Sequence, residues 1–153
     1  MDDSYIEHNT RERERLRGLV ERLTDEELQL PVNESWTVAG VMGHVAFWDA
    51  RALFLANKLE AGIPFAPDDD EPEEVDWIND SGRALIHAIP PRTAAELALS
   101  MATETDERIA SLSPEHAAKA WPADPVSPLN PRRASHREEH LDEIEAALGR
   151  RGA

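Results

Sequence analysis

The chain has 153 residues, no cysteine, and 31 acidic against 16 basic side chains, a formal charge of −15. That length can bury one hydrophobic core without disulfides, so residues 1–153 read as a single domain, and the missing cysteines remove thiolate ligands and a cysteine nucleophile from consideration. The acidic excess argues against a nucleic-acid partner; with no apolar run approaching a membrane span, and a polar Met1-Asp2-Asp3-Ser4 start in place of a signal peptide, the expectation is a cytoplasmic protein with no membrane partner.

Ser4-Tyr5-Ile6-Glu7 has the S-x-x-E form of a capping box, and Leu16, Leu19, Val20 and Leu23 recur at helical spacing, which predicts a first helix over about 5–23. Its alternating charges from Arg11 to Arg15 read as a solvated face. Thr24-Asp25-Glu26-Glu27 repeats the capping signal, but Pro31 limits that second start to a turn or two of helix. From Thr37, a good N-cap, the residues Val38, Val41, Val45, Trp48, Ala52, Leu55 and Leu59 trace an apolar stripe, predicting a second helix over about 38–61. His44 falls at the margin of that stripe, where a side chain can face a bundle and still meet solvent.

Gly62, Pro64 and Pro67 end this helix, and the run from Asp68 to Glu74 is too charged and proline-interrupted to pack, so an exposed loop is expected. It lacks the ligand spacing and central glycine of an EF-hand. Residues 75–88 can form a helix, Pro90-Pro91 interrupts it, and Thr93-Ala94-Ala95-Glu96 restarts one, so the third element is kinked or divided at the two prolines. The stretch 113–130 holds four prolines and reads as a crossover anchored by Trp121. Asn130-Pro131 then supplies an N-cap and a first-turn proline, Gly149 a stop, and the last helix is predicted over about 131–148. Leu141, Ile144, Ala147 and Leu148 form its apolar face, while Arg133 and Arg137 make its first half polar, as the rim of a pocket would be. Every predicted element is helical, so the fold class is all-α.

The last helix also carries His136-Arg137-Glu138-Glu139-His140. Residues i and i+4 lie above one another on a helix, so the two imidazoles form a chelating pair. Two histidines hold a divalent ion weakly, and a third donor from another helix is required; His44 is the candidate. Three neutral imidazoles around Zn²⁺ or Ni²⁺ would leave coordination positions for water or substrate, so one of these is the expected ion. The H-x-x-E-H spacing also matches an inverted zinc-peptidase motif with Glu139 as general base. We set that aside: the motif needs a further ligand well downstream, and helix phase turns Glu139 away from the apolar side.

Trp36-Thr37-Val38-Ala39-Gly40-Val41-Met42-Gly43-His44-Val45-Ala46-Phe47-Trp48 and His136-Arg137-Glu138-Glu139-His140-Leu141 resemble the second-helix and last-helix motifs of the DinB-like superfamily, which is related to the metal-binding domain of mycothiol-dependent maleylpyruvate isomerase. The resemblance implies a four-helix bundle of up-down-down-up topology in which His44, His136 and His140 ligate a divalent metal. It further implies a small-molecule substrate and a low-molecular-weight thiol, of mycothiol or bacillithiol type, transferred to an electrophile or isomerised as its adduct. A homodimer is expected on the same basis. The alternatives are a non-catalytic metal-binding stress-response protein and a metal-dependent hydrolase. Arg137 stands where relatives often carry an apolar or aromatic residue, so it is expected to meet an anionic group of the substrate.

Overall fold

Two helices begin where a threonine side chain satisfies a free backbone N–H group of the first turn. The Thr37 hydroxyl accepts from Gly40 N at 3.0 Å, and Thr24 and Glu27 form a reciprocal capping box. In a computed structural model, which describes residues 4–151, these caps open two of seven helices. They are α1 (Ser4–Arg22), α2 (Asp25–Leu28), α3 (Val38–Glu60), α4 (Val75–His87), α5 (Pro91–Ala110), α6 (Pro114–Ala117) and α7 (Ala134–Arg151), with a single 3-10 turn at Pro67–Asp69. No strand occurs among the described residues, and the all-α class stands.

The four long helices α1, α3, α5 and α7 pack around common cores. Asn9 and Arg15 of α1 meet Ala134 and Asp142 of α7 in ascending order, so those two helices run parallel. Arg13 reaches Asp106 whereas Arg92 reaches the Val20 carbonyl, so α1 and α5 run antiparallel. Asp49 meets Arg133 while His44 meets His136, which makes α3 antiparallel to α7. These are the senses an up-down-down-up bundle requires.

Two apolar clusters fill the bundle. One contains Leu16, Leu19, Met42, Leu141 and Ile144, and the other Leu55, Leu59, Ile109 and Leu129. Between them lies a polar layer to which each of the four long helices contributes: Asn9, Asp49, Asp106 and Arg137. The fully buried Arg137 guanidinium donates from Nε to Asp49 Oδ2 at 3.0 Å, from Nη1 to Asp106 Oδ2 at 2.8 Å and the Asn9 carbonyl at 3.2 Å, and from Nη2 to Asp106 Oδ1 at 2.7 Å. Arg133 binds the other oxygen of Asp49, and Arg13 shares Asp106. Arg137 was expected at a pocket rim to meet substrate; it is instead a core residue joining α1, α3, α5 and α7.

Several expected boundaries move. The helix α7 starts at Ala134 and not Pro131, because Asn9 of α1 accepts from Ala134 N at 2.8 Å and donates to the Pro131 carbonyl at 2.8 Å. A side chain distant in sequence thus replaces the Asn130 cap, and Asn130 turns back to Arg132 N. The third element is divided, as two helices, α4 and α5, with Pro91 opening the second so that Thr93 lies inside it. The acidic segment is not wholly a solvated loop: Asp69 is buried and takes Lys58 Nζ at 2.8 Å and Ala66 N at 2.8 Å. Trp121 is 41% exposed and does not anchor the crossover; Ala120 and Leu129 do. By length and composition α3 is apolar enough to cross a membrane, contrary to the sequence reading, but 72% of its most apolar window is buried within the bundle.

Against the outer side of α3 lies α4, none of whose residues is fully buried. It comes close because Gly40 and Gly43 leave room: a Cβ on Gly40 would collide with the His87 ring, and one on Gly43 would lie 2.6 Å from Ile86 Cγ2. In α1, by contrast, a Cβ on Gly18 meets nothing within 4 Å. Gly18→Ala should therefore stabilise the protein by about 1 kcal/mol from helix propensity alone, whereas Gly43→Ala should lose that gain to the displaced Ile86; urea unfolding of both variants reads the difference. Arg137→Ala leaves two buried carboxylates short of donors and should cost about 3–5 kcal/mol on the same assay. A cost under about 1 kcal/mol would mean the polar layer is wet and interchangeable.

Candidate metal centre

His44 comes to the site from the buried side of α3, wedged beside the Trp36 ring at 5.5 Å between centroids. His136 and His140 come from α7 one turn apart. The register set by Asp49 with Arg133 and Arg137 brings the two helices' histidines together. His136 Nε2 lies 3.2 Å from His44 Nε2 and 3.0 Å from His140 Nε2, and one ring nitrogen of each falls within 4.8 Å of the others. Nitrogens sharing one ion at about 2.0–2.1 Å are about 2.9–3.4 Å apart, so the observed spacing is that of a common coordination sphere.

The chemistry of the donors agrees. Burial drives the His44 pKa down to about 4, assisted by His140, and that of His136 down to about 2, assisted by His140, His44, Arg133 and Arg137. Both imidazoles are neutral at pH 7, the form a metal ligand must have. With protons on Nδ1, three Nε2 lone pairs converge with no donor between them, an arrangement a cation satisfies. Among the described residues the buried Nδ1 atoms of His136 and His140 have no hydrogen-bond partner, although Glu143 Oε1 stands 3.3 Å from the latter.

The triad forms the floor of an open cleft of about 390 Å³ walled by Trp48 and Leu55 of α3, Asn79 of α4 and Arg133, the residue just before α7. Trp48 Nε1 donates to Asn79 Oδ1 at 2.9 Å, tying the outer helix to the wall. Glu71 and Pro128 complete the mouth, so the acidic segment and the crossover both contribute to the site. Arg137 does not line it. Glu139 does, which corrects the expectation from helix phase that it points away: α7 is bordered by the cleft on that side and not by another helix. Asn79 carried no sequence signal that distinguished it from its polar neighbours on α4. Asp49 did: it follows Val45 by four residues inside an apolar stripe, where an acid needs a partner.

A second group, His8, Glu12 and Glu138, also brings ligand atoms within 4.8 Å. Here Glu12 is already occupied by Arg15 at 3.2 Å and His8 pairs with Glu138 at 3.1 Å, so the contacts are those of an ion-pair network between α1 and α7.

A family sequence model described as the DinB superfamily matches residues 8–143, which span all three histidines. No curated protein and no solved structure matches.

Because the native pKa values of His44 and His136 lie below the unfolded value of about 6.5, only the unfolded chain gains these protons as pH drops from 7 to 5. Stability is therefore complete above about pH 6.5 and is lost below it, at up to about 1.4 kcal/mol per pH unit for each histidine. Urea midpoints of metal-free protein should fall over that interval, and His136→Gln should flatten the slope. A profile equally steep in the variant would assign the loss to other groups.

Proposed function

Since the chain belongs to the DinB superfamily, we propose that His44, His136 and His140 hold one Zn²⁺ or Ni²⁺ ion and that the cleft above them admits a small-molecule substrate together with a low-molecular-weight thiol. The observation that carries this reading is the convergence of three Nε2 atoms, from two helices, at the floor of an open cleft. A divalent ion bound there supplies Lewis acidity and lowers the pKa of a coordinated water or thiol. The chain supplies the rest. Its neutral histidines leave the ion's positive charge uncancelled, and Trp48, Leu55 and Val75 give one wall apolar character against which a substrate can shed water. No side chain need act as a covalent nucleophile, in keeping with the absence of cysteine. Thiol transfer to an electrophile, or isomerisation of the adduct, is the activity we assign.

An open cleft favours this over a sequestering role, in which a closed site would serve better. The place of Glu139 supports metal-assisted hydrolysis as the second reading, because a carboxylate in the same cleft can accept a proton from an attacking water.

Metal content measured by mass spectrometry on untagged protein should be near one ion per chain in the wild type and should fall below about a tenth of that in His44→Ala and His136→Ala, with all three folded by circular dichroism. Wild-type protein that stays metal-free after incubation with Zn²⁺ or Ni²⁺ would sink the proposal.

A further inference from the structure

The polar layer beneath the cleft does not balance its charges. Three guanidinium groups, Arg13, Arg133 and Arg137, share two carboxylates, Asp49 and Asp106; the additional contact of Arg13 with Glu14, at 3.8 Å, lies on the surface. Arg137 uses every arm within the core, but Arg133 commits only its Nε, to Asp49 at 3.0 Å. Its two terminal amino groups have no partner among the described residues, and Arg133 lines the cleft. Surplus positive charge from the core is thus presented at the wall of the site.

A second guanidinium stands on the same wall. Arg51 of α3 lines the cleft and donates to the Asp69 main-chain carbonyl at 2.7 Å, while the Asp69 carboxylate is taken by Lys58. No carboxylate pairs with Arg51 within 4 Å among the described residues. The charged groups acting on it are Glu71, Asp69 and Asp70, which attract it, and Arg133, which repels it; Asp69 is already held by Lys58. Burial holds the Arg51 pKa below its ordinary value against the pull of Glu71, and Arg133 acts in the same direction as burial. Two partly buried guanidinium groups on one wall, each with a single donor position committed, leave terminal N–H groups that can take a further acceptor.

We infer that Arg51 and Arg133 form a carboxylate subsite, which selects small organic monoanions and orients their other end toward the three histidines. Resting on the proposed role of the cleft, this assigns the substrate class: a thiol or electrophile bearing a carboxylate. Glu71 and Glu139, which share the cleft, disfavour a dianion such as phosphate, because each further negative charge meets theirs. Arg133 and Arg51 are donors to the substrate in this view, and Arg137 only fixes the position of Arg133 through their shared Asp49.

The test is a two-by-two titration. Metal-free and Zn²⁺-loaded protein are each titrated with 3-mercaptopropionate and with its methyl ester, with affinity read by calorimetry and arginine Nε–Hε signals followed by NMR. The acid should bind about tenfold more tightly than the ester in both forms, shifting the Arg51 and Arg133 signals, and Arg51→Gln should bring that ratio close to one while leaving ester affinity unchanged. Arg133→Gln, checked for folding by thermal melting because it also touches Asp49, should do the same. Equal affinities for acid and ester in the wild type would overturn the subsite, as would a preference that survives both substitutions. The gain on Zn²⁺ loading is read separately, and its absence for both probes counts against the metal-thiol reading alone.

Discussion

A buried guanidinium is costly to desolvate, and Arg137 is fully buried. It is tolerated because four of its five N–H donors meet an oxygen, from Asp49, Asp106 and the Asn9 carbonyl, on three different helices. Replacing such a cluster with apolar residues is often neutral for stability, so its consequence here is one of position. Leucine and alanine contacts tolerate sliding; a planar fork held by two carboxylates does not. Moving α7 by a single turn, about 5.4 Å, would strand three charges in the core.

That constraint carries the histidines with it. His136 is the neighbour of Arg137 in sequence and His140 follows one turn later, while His44 precedes Asp49 by five residues on α3. The ion-pair layer therefore sets the register in which three Nε2 atoms meet at 3.0 and 3.2 Å. The Asn9 side chain reinforces it from α1 by capping α7 at Ala134. The cleft above depends on a weaker contact. There α4, with no fully buried residue, approaches α3 across Gly40 and Gly43 and is held to the wall by the Trp48–Asn79 hydrogen bond. A floor fixed by ion pairs thus lies beneath a lightly held wall, an arrangement compatible with the proposed metal site and its substrate.

Much of this was legible in the residues. Apolar spacing located the long helices to within a few positions, since burial of one helical face is a local pattern. Prolines 90 and 91 marked the division between α4 and α5, and the i,i+4 histidines followed from helix geometry. Arg137 was misplaced for an instructive reason. A basic residue on an otherwise apolar face reads as the edge of a pocket unless its counter-charges are found, and Asp49 and Asp106 lie 88 and 31 residues away. Each of those acids interrupts an apolar stripe on its own helix, so the signal was present in three separate places with nothing local to join them.

By itself the sequence determined the helices, their apolar faces, the caps at Thr24 and Thr37 and the residue types able to hold a metal, because each depends on neighbours within about a turn. Only the tertiary structure decided that Arg137 is core while Arg133, one turn earlier, faces the cleft. It alone decided that Glu139 borders the site, that Asn9 replaces Asn130 as the cap of α7, and that Arg51 stands beside Arg133. Helix phase gives directions around one axis. The neighbour met in each direction is set by the packing of the other helices, and that is determined by contacts between residues tens of positions apart.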